Sequence, residues 1–190
     1  VTVYKKVTKD SISFVAHRGY HKSSLENTMD AFQNAMNKGY YGIETDVRIT
    51  KDGQFVLSHD DSLSRVFGVE MKVSESSLEE LKDITHDGIT TLEEFLAFME
   101  DKKEIPYIEL KSMISSDYPD LEDNIERFMD ILAQYHYSSS GENTLPCYII
   151  SFYQDYIDVV RAKDKNIQID LISSSKTIDI DYLLENNYGL

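Results

Sequence analysis

Short apolar runs alternate with longer amphipathic stretches along most of the chain, and this recurrence predicts parallel βα units. The first run, Phe14 to Ala16, leads through a polar loop into a predicted helix from about Thr28 to Lys38. Phe32, Ala35 and Met36 form its apolar face, and Gly39 stands where a helix C-cap belongs. From about Tyr41 to Arg48 the period changes to strict alternation. Ile43, Thr45 and Val47 point one way, Glu44 and Asp46 the other. Asp52-Gly53 is a tight turn into a third strand, Gln54 to Ser58. Thr91-Leu92-Glu93-Glu94 has capping-box spacing and opens a helix through about Met99.

Pro106 introduces a fourth strand in which Tyr107, Glu109 and Lys111 share a face opposite Ile108 and Leu110. A helix near Leu121 to Gln134, a fifth strand from Cys147 to Phe152 and a helix around Tyr156 to Ala162 follow. A sixth strand spans Ile167 to Ile172, a short helical piece lies near Asp179 to Glu185, and Tyr188-Gly189-Leu190 reads as the start of a seventh strand. The expected fold is a TIM-type (β/α) barrel in the α/β class, read as one domain over residues 1–190. A closed eight-stranded barrel takes about 250 residues, so this one is expected to lack its final one or two strands and to be C-terminally incomplete. An open doubly wound sheet is the weaker alternative, because polar residues gather at the C-terminal ends of nearly successive strands.

Composition narrows the partners. The net charge of −15 excludes binding to nucleic acid or an anionic membrane through bulk charge. A chain this anionic that handles an anionic substrate needs positive charge placed locally, from a metal ion or a few Lys and Arg. The single cysteine, Cys147, cannot form an intrachain disulfide and reads as a buried strand residue. No run is long enough to span a membrane. The chain begins at Val1, which leaves the compartment open: the cytoplasm is favoured, with extracellular or membrane-tethered alternatives. Oligomerisation is also left open.

Strand ends carry the candidate chemistry. Glu44 and Asp46, at i and i+2, share the barrel interior, and Glu109 on the fourth strand adds a third oxygen ligand. Uncompensated carboxylates there would be costly, so a cation is the economical explanation. An all-oxygen set favours Ca²⁺ or Mg²⁺ over zinc. The plainer reading is an internal salt bridge with Arg48, Lys111 or Arg18. His17 and His59 both stand at C-terminal strand ends and form a candidate general acid and base pair, whereas His21, His86 and His136 read as structural. Arg18 and Lys111 are natural phosphate contacts. Asn27 or Thr28 is either a plain helix N-cap or, with Glu26, a support that orders the site.

The set His17-Arg18-Gly19, Glu26-Asn27-Thr28, Glu44-Thr45-Asp46-Val47, Thr50-Lys51-Asp52-Gly53, His59-Asp60 and Ile108-Glu109-Leu110-Lys111 resembles the glycerophosphodiester phosphodiesterase family, of the phosphatidylinositol-phospholipase-C-like barrel type. The resemblance covers nearly the whole chain and is densest in the first 60 residues. It implies acid/base catalysis by His17 and His59, one divalent cation (Ca²⁺ or Mg²⁺) on Glu44, Asp46 and Glu109, and phosphate contacts from Arg18 and Lys111. The implied reaction splits a glycerophosphodiester such as glycerophosphocholine into sn-glycerol 3-phosphate and an alcohol, in glycerophospholipid metabolism. Water or the neighbouring glycerol hydroxyl is the attacking group. Two departures from the family pattern are expected: only a short connector from His59 to Thr91, and absence of the last strands. The alternatives are a lysophospholipase D-like lipid phosphodiesterase acting at a membrane and a non-catalytic phosphodiester-binding fragment.

Overall fold

The computed structural model describes residues 12–138, 144–174 and 179–189. Its centre is a six-stranded sheet in the order β1-β2-β4-β5-β6, with β3 paired to β2 away from that path. The strands are β1 (Val15–Ala16), β2 (Gly42–Ile49), β3 (Phe55–Leu57), β4 (Ile105–Ser112), β5 (Tyr148–Ser151) and β6 (Gln168–Leu171). All neighbours on the main path run parallel. Gly189 bridges Asp170 in parallel, continuing the sheet beside β6, while Leu190 of the expected seventh strand lies outside the described residues. Among the described residues the sheet does not close on itself, and the architecture is a partial (β/α) barrel.

The helices are α1 (Met29–Lys38), α2 (Ser64–Phe67), α3 (Leu78–Ile84), α4 (Leu92–Met99), α5 (Leu121–Gln134), α6 (Gln154–Lys163) and α7 (Ile180–Asn186). Their ends follow from local chemistry. Thr28 caps α1 and Gly39 closes it in the left-handed conformation at φ 73°. Thr91 and Glu94 form a reciprocal capping box on α4, as their spacing predicts. Asp120 accepts from Glu122 N and Asp123 N at the start of α5.

Strand alternation divides the molecule into two faces. Ile43, Val47 and Ile49 on β2 and Ile108 and Leu110 on β4 turn outward into a buried layer with Phe32, Phe95, Phe128 and Leu132 from the helices. Phe32 and Phe95 meet at a ring-centroid distance of 4.7 Å. Each such side chain stabilises the fold by about 1.5–3 kcal/mol on burial. The inward face is the polar one. There the stacked rings of Tyr107 and Tyr148, 4.6 Å apart, lie level with Glu44 and two register pairs before the carboxylates Asp46 and Glu109.

Three expectations are corrected. The third strand is not a barrel strand: β3 runs antiparallel to β2, pairing Val47 with Leu57 and Ile49 with Phe55. The reason is its short link. A parallel crossover needs a dozen or more residues, whereas the Thr50–Gly53 turn, with Gly53 at φ 78°, folds the chain straight back. β4 takes the parallel place beside β2. The segment from His59 to Thr91 is also more than a short connector. It holds α2, a 3₁₀ turn (Val73–Glu75) and α3, which enclose a second apolar cluster of Val56, Leu63, Val73, Leu81 and Ile89. Cys147 is buried just ahead of β5 rather than inside it, and burial pushes its thiol up to about 12.

Candidate active site

β1 is only two residues long, and it ends level with Ile43 of β2. The chain turns sharply there, Gly19 N bonding back to Ala16 O at 3.1 Å. Gly19 sits at φ 74°, and a Cβ on it would meet backbone and Cβ atoms of Ala31 at 2.8–2.9 Å, so only glycine fits this turn. The turn points Arg18 N at Glu44 Oε2, 2.8 Å away, and leaves the His17 ring exposed with Nε2 3.9 Å from the same oxygen.

Glu44, Asp46 and Glu109 converge as alternation predicts. Asp46 and Glu109 are register partners across β2 and β4, and one oxygen from each of the three carboxylates lies within 4.8 Å of the others. All three are buried. Two cations border them. Lys111 Nζ is 2.6 Å from Glu109 Oε1 and 3.4 Å from Asp46 Oδ1, and Arg18 Nε is 3.3 Å from Asp46 Oδ2. Three carboxylates against two cations leave an excess of negative charge in a dry place. Burial, then the Asp46 charge, push Glu44 up to about 8 despite the bond from Arg18 N, and burial also raises Glu109 against the pull of Lys111. Glu44 Oε1 is buried without a hydrogen-bond partner.

The plainer reading, a satisfied internal salt bridge, is therefore true only in part. Arg18 and Lys111 do pair with the carboxylates, but Arg48 does not. Its guanidinium donates to the His59 carbonyl at 2.6 and 3.0 Å. An all-oxygen donor set with an orphaned carboxylate oxygen fits a divalent cation of the Mg²⁺ or Ca²⁺ type.

Asn27 bonds into the carboxylate cluster, and Thr28 caps α1. Asn27 stands at φ 55°, buried, with Nδ2 donating to Asp46 Oδ2 at 2.8 Å. Its Oδ1 accepts from Thr45 Oγ1 at 2.8 Å and from Asp46 N at 3.3 Å. Glu26 receives Arg18 NH1 at 3.0 Å.

His59 follows β3, whose end is tied to the site by Ser58 N donating to Asp46 O at 2.9 Å. Its Nδ1 lies 2.7 Å from Asp60 Oδ1, which leaves Nε2 outside that contact. Reading the sequence missed Arg65, on α2. It joins Asp60 to Glu26, and no local periodicity marks a pair 39 residues apart. His21, His86 and His136 are exposed, and none belongs to the carboxylate cluster.

A partial (β/α) barrel with buried carboxylates, two histidines and two cations around the ends of β1, β2, β3 and β4 defines the class: a barrel with an acidic cluster that could hold a divalent cation. The chain belongs to the glycerophosphoryl diester phosphodiesterase family, whose sequence profile matches residues 17–188. This family is divalent-metal dependent. The chain is 36% identical over 133 residues to a glycerophosphodiester phosphodiesterase of Caldanaerobacter subterraneus subsp. tengcongensis, covering 65% of this chain and 53% of that protein. It is 48% identical over 61 residues to human lysophospholipase D GDPD1, covering 32% of this chain and 19% of the relative. The crystal structure of a glycerophosphodiester phosphodiesterase from Thermotoga maritima superposes with a TM-score of 0.70 at 28% identity, covering 93% of this chain and 71% of that one. The chain spans little more than half the length of these curated relatives of the glycerophosphodiester phosphodiesterase type.

Proposed function

We propose that this protein hydrolyses glycerophosphodiesters, such as glycerophosphocholine, to sn-glycerol 3-phosphate and an alcohol, with one divalent cation, Ca²⁺ or Mg²⁺. The observation that carries this reading is the convergence of Glu44, Asp46 and Glu109 beside His17, Arg18 and Lys111. Family membership supports the same reaction class. The main apolar core, which runs from Ala16 to Tyr188 among the described residues, supports reading the chain as a single barrel domain.

Glu44, Asp46 and Glu109 would hold the cation, which when bound neutralises phosphate charge and favours the nucleophile. Arg18 keeps donors beyond those that face Glu26 and Asp46, and Lys111 carries three, so both can also meet phosphate oxygens. An oxygen nucleophile, water or the adjacent glycerol hydroxyl, forms its bond to phosphorus as the bond to the departing alcohol breaks. Of His17 and His59, one accepts the nucleophile's proton and the other protonates the leaving oxygen. Where the glycerol hydroxyl attacks first, water opens the resulting cyclic phosphate with the two roles exchanged.

The test is glycerol 3-phosphate release from glycerophosphocholine with Ca²⁺, with Mg²⁺ and with EDTA. Metal-dependent release is expected, and it would exclude a purely binding role. A folded, metal-loaded protein that releases nothing from glycerophosphocholine, glycerophosphoethanolamine or glycerophosphoinositol overturns the proposal.

A second reading, cleavage of a lysophospholipid, is favoured by the 61-residue similarity to the human lysophospholipase D. It also draws on the exposed Phe152, whose ring lies 5.6 Å from Lys111 Nζ, and its exposed neighbour Tyr153. Comparing turnover of lysophosphatidylcholine with that of glycerophosphocholine separates the two substrates.

A further inference from the structure

Arg65 is the hub of a charge network that none of the proposed catalytic or metal-binding roles uses. Its Nε donates to Asp60 Oδ2 at 2.5 Å, NH1 to Glu26 Oε2 at 2.9 Å and NH2 to Glu26 Oε1 at 2.6 Å. The fork is thus filled bidentately by one carboxylate and extended to a second, and the guanidinium is engaged along both edges. Each carboxylate is shared with a residue of the site. The other Asp60 oxygen faces His59 Nδ1 at 2.7 Å, and Glu26 Oε1 also accepts from Arg18 NH1 at 3.0 Å. One side chain from the β3–α4 segment therefore touches, through one carboxylate each, the candidate acid/base histidine and the candidate phosphate-binding arginine.

The carrier of Arg65 is itself anchored. α2 is a single turn that starts from the fully buried Leu63, in the cluster with Val56, Val73, Leu81 and Ile89. Leu63 N donates to Met71 O at 2.9 Å, and Asp61 ties the same loop down by accepting from Ser74 N and Ser74 Oγ, both at 2.9 Å. Arg65 is half exposed, so its ion pairs contribute little to global stability. What three aimed bonds can supply at such a place is geometry. A carboxylate accepts only, so Asp60 holds the neutral His59 ring with its proton on Nδ1 and its lone pair on Nε2.

We propose that Arg65 is a positioning residue: by holding Asp60 and Glu26 together it fixes the tautomer and orientation of His59 and the reach of Arg18. This rests on the phosphodiesterase reading for its purpose, though not for its geometry. A lysine cannot replace it fully, because a point charge cannot bridge two carboxylates with a planar fork.

The test is side-chain ¹⁵N NMR of the histidines in the full chain, at a pH where His59 is neutral, for the native protein, Arg65→Gln and Arg65→Lys. The native His59 signals are expected to show the Nδ1-protonated form. In Arg65→Gln they are expected to move to a mixture of tautomers while those of His21 and His86 stay put, and kcat on glycerophosphocholine is expected to fall by up to about 100-fold with KM changing far less. A folded Arg65→Gln protein with the native His59 signals overturns the proposal. Should Arg65→Gln fail to fold, Arg65→Lys carries the same test: mixed His59 signals support it, and native signals with native kcat overturn it. Because the NMR reading needs no turnover, loss of the hydrolysis proposal and loss of the Arg65 proposal remain distinguishable.

Discussion

Asn27 Nδ2 donates to Asp46 Oδ2 at 2.8 Å, pinning the loop after β1 to the middle of β2. The same amide's oxygen takes Thr45 Oγ1 and Asp46 N, so one side chain satisfies three buried polar groups. Asn27→Ala removes a partner from all three, leaving Asp46 Oδ2 with Arg18 Nε at 3.3 Å, and alanine tolerates φ 55° poorly. We expect a loss of about 1–3 kcal/mol in urea denaturation. Asn27→Asp should be worse, since it sets a carboxylate against Asp46.

Glu44 costs the metal-free protein stability, because its folded acidity is displaced upward. A carboxyl that sits at about 8 when folded and 4.5 when unfolded makes stability fall as pH rises between those values. Glu44→Gln is therefore expected to melt higher than the native chain at pH 8 without metal, with the gap closing below pH 4.5. The same substitution should abolish the rise in melting temperature on adding Ca²⁺ or Mg²⁺. For the native chain that rise corresponds to about 2.7 kcal/mol at a hundredfold excess over Kd. Thermal scans with and without metal read both effects.

Glu26 behaves oppositely. Hydrogen bonds from Arg65, outweighing burial, and the Arg18 charge pull its carboxyl down to about 2 from 4.5. Its contribution is whole above pH 4.5 and is lost as pH falls through about 2. The melting-temperature difference between the native chain and Glu26→Gln is expected to shrink across that window. A difference that stays constant from pH 5 to 2 would remove the ion-pair explanation.

Leu63→Ala empties a fully buried position in the cluster beneath α2. The expected cost is about 2–5 kcal/mol. Hydrogen exchange should locate it: amides of residues 62–76 lose protection first, while β2 and β4 remain protected. Uniform loss across the sheet would mean that the two apolar clusters unfold as one.

Much of the barrel is legible in the residues alone, because the signals involved are local. Two-residue alternation places Glu44, Asp46 and Glu109 on one face, and capping chemistry at Thr28, Gly39 and Thr91 sets helix ends. The strand-end positions of His17 and His59 follow from the same short-range pattern. Other features depend on which distant segments meet. β3 reads like any other apolar run, and only the tightness of the Thr50–Gly53 turn against the span of a crossover makes it antiparallel. Residues 59–91 lack a long period, so the cluster around Leu63 emerges only once α2 and α3 fold over Val56. The Arg65–Glu26 pair and the displaced acidity of Glu44 arise from side chains brought together by strand register and burial. Sequence thus determined which residues could do the chemistry, through periodicities that span a few positions. Tertiary structure decided which of them touch, because ion pairing and desolvation act through space and are blind to distance along the chain.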